Sequence, residues 1–420
     1  MTTRFDVAIV GAGPGGATAA AFLARAGVRT LLLDKSTFPR DKSCGDAVCT
    51  KSVRILRELG LLEAVEREVF YRAASQSFFD LQGRELPLPF VERVDGKTKP
   101  AFSYVIRREL FDNVLFQHAR SLPEVTTVEG FAFSDFLRGA DGAIQGVVGT
   151  DASGREQRYQ ASIVIGADGA LSRVAEKAGA YDFKHKRSDH WIGAFRIYYR
   201  GVKDLTHGME IHFVDELLPG YFWIFPSGDG EANVGAGMVE TALKARQGGK
   251  RKLNLRRATY DLIATHPRFK DRFAGATEVA GSFRGWQLPC GSERRQLAGD
   301  GWMLIGDAAS LIDPFSGEGI SNAMHSAKLA AEGAVLALKA GTVHAGGLRA
   351  YQTNVWNELG DELDTAYTLQ RLAKHRWLLN FVMKQATRPK VRALVSRMMG
   401  DPEAAKQLTS PWFYLKLLGS

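Results

Sequence analysis

The apolar positions change period along the chain, and each change marks an element. FDVAIV (5–10) is a continuous apolar run of strand length. An Ala-rich stretch of helical length (17–26) follows, and then a second apolar run, VRTLLLD (28–34). This strand–helix–strand order predicts a βαβ unit. Residues 143–166 read as a β-meander with a turn at Asp-Ala-Ser-Gly, 151–154. Between 190 and 240 apolar and polar residues alternate over several segments (WIGAFRIYYR, MEIHFV, YFWIF, ANVGAGMV). That alternation predicts an antiparallel sheet with one covered face. GWMLIGDAA (301–309) reads as strand-to-turn, Gly319 to Leu338 as a long helix, and the chain from about 350 as a helical tail.

The pattern predicts an α/β protein, with a Rossmann-like nucleotide-binding domain interrupted by an antiparallel sheet domain and followed by a C-terminal helical segment. The expected boundaries are 1–75, 100–185 and 285–345 for the first domain and 76–99 and 186–284 for the second. The tail is expected over 346–420.

Charge changes this picture at one end only. Ala366 to Ser420 holds ten Lys/Arg and two Asp/Glu, a surplus of eight, and the remaining 45 basic and 44 acidic residues give +1 of the total +9. A local basic patch is expected there, and no general nucleic-acid surface. The three cysteines, Cys44, Cys49 and Cys290, form no disulfide framework and show no metal-ligand spacing, so a reducing, cytoplasmic setting and no metal are expected. No run of 18 apolar residues is present to span a bilayer.

The turn between the first strand and helix is Gly11-Ala-Gly13-Pro14-Gly15-Gly16. Gly11 permits the tight turn, Gly13 lets a pyrophosphate approach the backbone, and Gly16 lets helix and strand pack closely. The helix N-terminus favours phosphate charge. Asp34 closes the second strand, where a carboxylate can bond ribose hydroxyls, with Lys35 beside it.

GxGxxG at 11–16, GADG at 166–169 and GDAA at 306–309, in that order and spacing, resemble the flavoprotein fold shared by aromatic hydroxylases, flavin-dependent halogenases and geranylgeranyl reductases. The resemblance implies FAD bound in an extended pose. It places the GADG element with Asp168 near the pyrophosphate, and Gly306-Asp307 at the ribityl hydroxyls. Pro314 and the FSGEG loop (315–319), through Gly317, Gly319 and Ile320, would approach the flavin ring. Arg108 in RRELFD would contact the FAD, with its neighbour Arg107 as the alternative. Arg40, Cys44 and Gly45 complete the expected cofactor contacts. No second GxGxxG is present, so either NAD(P)H visits transiently or another donor, such as a separate protein, reduces the flavin.

PGYFWIFP (219–226) matches the PxxYxWxFP motif of the geranylgeranyl reductase family through Pro219, Tyr221, Trp223, Phe225 and Pro226. NVGAG (233–237) fits its continuation. FPRDKSCGDAV (38–48) resembles the family's cysteine-glycine element, with Cys44-Gly45 in place. Asp46 stands where a second glycine is more frequent, as in the bacterial branch that reduces quinone side chains. The halogenase motif GWxWxIP fits less well, because Tyr221 replaces its first Trp and Phe225 its Ile. Lys51 and Lys97 are loose candidates for the halogenase lysine.

The resemblance implies saturation of isoprenoid double bonds by proton and flavin-hydride addition. A flavin-dependent monooxygenase or halogenase acting on an aromatic natural product is the alternative. An isolated trialkyl alkene is electron-rich and must be protonated as hydride arrives, so the site needs an acid and a dry interior. Tyr221 and Cys44 are the proton-relay candidates, Trp223 and Phe225 the walls that stabilise developing cationic charge, and Pro226 and Trp286 further pocket residues. Cys49 and Cys290 read as structural thiols. Val391, Leu394, Val395 and Met398 recur at helical spacing beside Lys390, Arg392 and Arg397, and WFYLKLL ends the tail. That amphipathic tail either rests on an anionic membrane and passes a prenyl chain inward, or packs over the substrate domain.

Overall fold

A computed structural model describes residues 4–95, 97–247, 253–388 and 391–392. The strands Arg4–Val10 and Thr30–Asp34 run parallel, joined by the helix Pro14–Arg25, as the apolar pattern requires. Val125–Glu129 extends the sheet on one side and Glu156–Gly166 on the other, both parallel. The other edge of Glu156–Gly166 is shared between two further strands. Its first half takes Ile144–Thr150 as an antiparallel partner, and its last three residues take Trp302–Leu304 as a parallel one. The 151–154 turn closes through Gly154 N–H to the Asp151 carbonyl at 2.9 Å.

Small side chains bring the helices of this layer together. Pro14–Arg25 and Ile320–Ala340 are both alanine-rich and bury Ala17, Ala20, Ala327 and Ala330 in one core. Gly15 lies so close to the second helix that a Cβ on it would sit 3.4 Å from the Ala323 carbonyl oxygen. The helix Arg108–Ser121 packs on the same first helix.

The second sheet runs Thr277–Glu278, Trp191–Arg200, Glu231–Val239, Tyr221–Ser227, Gly208–His212, Ser75–Phe79, Glu85–Pro89, with Arg284–Pro289 also pairing Trp191–Arg200. It departs from the purely antiparallel expectation at one join, since Gly208–His212 is parallel to Ser75–Phe79. Those two strands come from distant stretches, so no hairpin dictates their direction. One face is covered by the helices Leu255–Thr265 and Lys270–Phe273, which bury Phe222, Ile224, Leu262 and Phe269. The other face packs Trp223, Phe225, Met209 and Phe213 against Leu379, Met383 and Ala386 of the helix Arg376–Ala386.

The tail therefore divides: the helix Ala345–Ala373 packs on Ile320–Ala340 and buries Leu348, Tyr351 and Val355 in the first core, while Arg376–Ala386 lies over the second sheet. Val391 joins the second sheet's core. Lys390, Leu394, Val395, Arg397, Met398 and the final WFYLKLL lie outside the described residues. No described helix is long and apolar enough to cross a membrane.

Candidate active site

Two glycines fix the first turn. Gly11 has φ +104°, and a Cβ there would lie 2.3 Å from the Ala167 carbonyl oxygen. A Cβ on Gly16 would lie 1.8 Å from the carbonyl of Gly11. Neither position admits a side chain. Asp34 is buried at the end of its strand, where its carboxylate accepts from Ala12 N–H and Ser36 N–H, both at 2.8 Å. It ties the second strand to the glycine turn. Lys35 is exposed beside it and lies outside the cavity described below.

Arg108 opens the helix Arg108–Ser121 and forks onto Asp112 one turn later, at 2.6 and 2.7 Å. Arg40 donates to the same carboxylate at 2.7 Å. Burial opposes charge on Asp112, but the guanidiniums of Arg108 and Arg40 hold its carboxyl below the usual range. Arg107 turns away from this cluster, pairing with Glu231 and stacking on Tyr198 at 4.3 Å. Of the two expected arginines, Arg108 is thus the one that faces the cavity.

Asp168 does not reach the cavity. It accepts from Ser172 Oγ at 2.5 Å and from Val174 N–H at 3.1 Å, and so caps the short helix Arg173–Lys177. What the GADG element presents to the glycine turn is the backbone of Ala167 and Asp168, packed against Gly11. Asp307, in the GDAA turn Gly306–Ala309, takes an ion pair from Lys42 at 3.3 Å. In the FSGEG loop, Asp313 Oδ1 accepts Phe315 and Ser316 N–H at 2.9 and 2.7 Å, and Glu318 Oε1 accepts Ser321 N–H at 2.7 Å. Burial pushes Asp313 up, and pushes Glu318 up to about 7. Pro314 is fixed by Gln370, whose side chain donates to its carbonyl.

A cavity of about 490 Å³ takes in Pro14 of the glycine turn, Lys42, Arg108, Asp307 and the loop at 312–321, while Gly11, Gly13, Gly15, Gly16, Asp34, Arg40 and Asp112 lie outside its lining. Pro14, Arg108, Asp307, Pro314, Gly317, Gly319 and Ile320 line one region; Met209, Phe213, Tyr221, Trp223, Phe225 and Leu369 line another, with Cys44 and Gly45 between them. On the Tyr221–Ser227 strand, alternate residues point oppositely. Tyr221, Trp223 and Phe225 face the cavity, while Phe222 and Ile224 face the covering helices. Pro226 shares that second face and does not line the cavity, a correction to its expected place in the pocket. Trp286 stands at the rim, 43% exposed.

The strand is wired to the cysteine loop. Trp223 Nε1–H donates to Asn233 Oδ1 at 2.8 Å, and Asn233 Nδ2 donates to the Cys44 carbonyl and to Asp46 Oδ2, each at 2.8 Å. Gly235 sits opposite Trp223 in the strand pairing, and a Cβ there would fall 2.2 Å from the indole. Gly45 lets the loop lie against Phe225, 3.3 Å from a would-be Cβ. Tyr221 donates its hydroxyl proton to the Ser316 carbonyl in the FSGEG loop. Burial pushes the Cys44 thiol up, against the opposing charge of Arg108, so at neutral pH it holds its proton. Cys49 also lines the cavity, and Cys290 is buried with its thiol 3.8 Å from the Leu288 carbonyl.

Several of these residues were not singled out by sequence. Asp112 was signalled by its place four residues after Arg108, and Asn233 by its position in NVGAG. Lys42 lay within FPRDKSCGDAV without being singled out, and nothing in the sequence pointed to the wall formed by Thr365, Ala366, Leu369 and Gln370 of the helix Ala345–Ala373.

The glycine turn, Asp34 at the end of the second strand, the Arg108–Asp112–Arg40 cluster and the helix N-terminus at Gly319–Ile320 suit an extended dinucleotide that carries a redox ring. The fold and cradle are those of an FAD-dependent oxidoreductase. Residues 4–249 match the FAD binding domain family. The chain is 32% identical over 343 residues to the menaquinone reductase of Mycolicibacterium smegmatis, covering 79% of this chain and 76% of that one. It is 31% identical over 369 residues to the digeranylgeranylglycerophospholipid reductase of Methanothrix thermoacetophila, covering 86% and 85%. A geranylgeranyl bacteriochlorophyll reductase-like protein of Thermoplasma acidophilum shares the fold, with TM-score 0.80 at 21% identity over 96% of this chain and 98% of that one. A flavin-dependent brominase shares it too, with TM-score 0.78 at 23% identity over 99% of both. The chain belongs to the geranylgeranyl reductase family of FAD-dependent oxidoreductases.

Proposed function

We propose that this protein saturates isolated C=C bonds in the isoprenoid chain of a geranylgeranyl-type lipid or a polyprenyl quinone. One observation carries the reading. The aromatic face of Tyr221, Trp223 and Phe225 and the Cys44–Gly45 loop line the same cavity as the cofactor cradle. Its wall is continued by Met209, Ile211, Phe213 and Leu369, side chains that suit a hydrocarbon chain.

FAD fits the cradle through Pro14, Arg108, Asp307 and the loop at 314–320, and in its reduced form supplies hydride. The chain's own residues do the rest. The sheet and the helix Ala345–Ala373 exclude water, which would otherwise quench cationic character at the alkene. The faces of Trp223 and Phe225 stabilise that charge through the ring quadrupole. Cys44 holds a proton at the junction of the two regions. Tyr221 points its proton at Ser316, so its role is to hold the FSGEG loop, and Cys44 is the better donor.

The described residues hold one GxGxxG-bearing βαβ unit, which supports a transient electron donor, NAD(P)H or a separate reduced protein. Trp377 is 71% exposed on the basic helix Arg376–Ala386, which supports peripheral contact with an anionic cytoplasmic leaflet.

The test is anaerobic. The bound flavin is reduced chemically, and geranylgeranyl lipid or menaquinone is added while the flavin spectrum and product mass are followed. Reoxidation without oxygen, with a gain of one H2 per bond, is the expected result. A flavin that stays reduced until air enters would sink the reading and favour an oxygen-using enzyme.

A further inference from the structure

Asp46 stands where the family's motif more often has a second glycine. It is fully buried with φ +64°, the left-handed region that favours glycine, although aspartate tolerates it better than most side chains. Its Oδ2 accepts from the Tyr198 hydroxyl and from Asn233 at 2.8 Å, while its Oδ1 has no partner among the described residues. A buried carboxylate oxygen without a partner is costly, and it persists where the site uses it.

Tyr198 lies at the other end of that bond. It lines a second cleft of about 150 Å³, together with Asp41, Arg107, Glu109, Arg196 and Ser282. Asp41 and Glu109 are exposed, so the cleft meets solvent. The Tyr198 ring is clamped between the guanidiniums of Arg107 and Arg196, each 4.3 Å from its centroid. Those cations are themselves held, Arg107 by Glu231 and Arg196 by Asp41 and the Ser282 carbonyl. On the inner side, the Asp46 backbone N–H meets the Cys44 thiol, and the Asp46 charge acts on it.

We propose that Tyr198 and Asp46 relay protons from this second cleft to Cys44, and so reload the donor after each saturation. The inference rests on the isoprenoid-reductase reading above. In the step, the Cys44 S–H proton goes to one alkene carbon as hydride goes to the other. The Asp46 carboxyl, which makes no side-chain hydrogen bond to the thiol at rest, turns about its Cβ–Cγ bond to return a proton to the thiolate. Turned back, it takes the Tyr198 hydroxyl proton at Oδ2, and Tyr198 takes one from water in the cleft. One solvent proton is consumed for each bond reduced.

Burial, and then the Asp46 charge, push the Tyr198 hydroxyl well up, so it gives up its proton only as it takes another from water. Burial pushes Asp46 up to about 6, with Tyr198, Asn233, Arg196 and Arg108 opposing, so the carboxyl exchanges its proton near neutrality. Those four groups and Cys44 are the polar and charged neighbours facing it, from the strands Trp191–Arg200 and Glu231–Val239, the helix Arg108–Ser121 and its own loop.

The test compares FAD-loaded wild type with Asp46→Asn, which keeps the shape, Asp46→Gly, which suits the positive φ, and Tyr198→Phe. Each is reduced with dithionite under argon and mixed with geranylgeranyl lipid in detergent micelles from pH 5 to pH 9. Flavin reoxidation is expected to slow about a hundredfold in both Asp46 variants and by a smaller factor in Tyr198→Phe, with flavin content unchanged. Independently, the pH at which iodoacetamide alkylates Cys44 in the oxidised enzyme, read by peptide mass, is expected to fall in Asp46→Asn, because a negative neighbour is gone. Asp46 variants that match wild type in rate at every pH would overturn the relay while leaving the reductase reading intact. So would variants that slow only by losing flavin, with Cys44 alkylated at the wild-type pH. A wild type that does not reoxidise with the lipid overturns the reductase reading itself, and the relay with it.

Discussion

The Trp223 indole and the Asn233 side chain are joined by a 2.8 Å hydrogen bond, and that bond ties together two halves of the site that are far apart in sequence. Asn233 spends its two donors on the Cys44 carbonyl and Asp46 Oδ2. The aromatic strand and the cysteine loop therefore hold each other in place through one amide.

Replacing that amide should cost both stability and turnover. Asn233→Ala leaves the indole N–H and the Cys44 carbonyl without a partner, and each orphaned buried group costs about 1–3 kcal/mol. The expected result is a lower unfolding midpoint, together with a drop in alkene reduction at saturating lipid. Thermal melts and the anaerobic assay would check both. Unchanged turnover would show that the loop finds its place without Asn233.

Gly235→Ala should press on both the indole and the strand pairing. Its Cβ would fall 2.2 Å from the Trp223 ring and equally close to the Phe195 carbonyl oxygen of the paired strand, so the indole and the sheet backbone must both give way. Overpacking of this kind costs about 1–3 kcal/mol. Reduction of a long prenyl chain is expected to suffer more than flavin binding, measured as KM for lipid against bound FAD per chain. Equal KM in the variant would mean that the sheet backbone, and not the indole, takes up the clash.

The cofactor cradle hangs on Asp112. It neutralises Arg108, which is buried, and Arg40, and removing one partner of a buried pair costs about 3–5 kcal/mol. Asp112→Ala is expected to purify with little FAD, whereas Arg107→Ala should keep it, because Arg107 faces Glu231 and Tyr198. The absorbance ratio after gel filtration gives the answer. Full flavin in Asp112→Ala would separate the arginine cluster from cofactor binding.

How much of this was legible follows from what each feature depends on. The glycine turn, Asp34 and the alternation of PGYFWIFP are local backbone requirements, and they read directly from spacing. Arg108–Asp112 is one helical turn and was within reach. The Asp46–Tyr198 bond joins residues 152 positions apart, through a sheet register that no local pattern specifies. Asp168 was misplaced because its acid serves a four-residue-distant Ser172, a competing local use of the same side chain. Pro226 was misplaced because motif membership says nothing about which face of the strand a residue takes.

Two buried acids should stabilise the fold less as pH rises through the weakly acidic range. Burial raises Asp46 to about 6 and Glu318 to about 7, both above the ordinary carboxyl range of about 4. The folded state then binds these protons more tightly than the unfolded chain, so their contribution is greatest at low pH within that window and declines from about pH 4 to about pH 7. Buried His212, lowered to about 4, pulls the other way over the same window, because the unfolded chain holds its proton more tightly. The contribution of one acid is therefore read as a difference: from pH 4 to pH 7 the melting midpoint of flavin-loaded wild type should lose ground against that of Glu318→Gln as pH rises. A difference that stays constant across that window would contradict the buried, proton-holding state of Glu318.

Membrane contact calls for a substitution that leaves the cavity intact. Deleting the chain from 366 would remove Ala366, Leu369 and Gln370 from the cavity wall and strip Leu379 and Met383 from the core, so loss of activity in such a deletion would say nothing about lipid surfaces. Trp377 is the better probe, because it is 71% exposed and its neighbour Arg376 already has an ion-pair partner in Asp215 at 2.7 Å. An indole that inserts at the headgroup level removes apolar area from water worth about 1.5–3 kcal/mol. Trp377→Ser is therefore expected to float with anionic vesicles about tenfold less than wild type, while reducing lipid in detergent micelles at an unchanged rate. Equal flotation of the two would leave the basic helix as a lid over the second sheet, with the substrate reaching the cavity by another route.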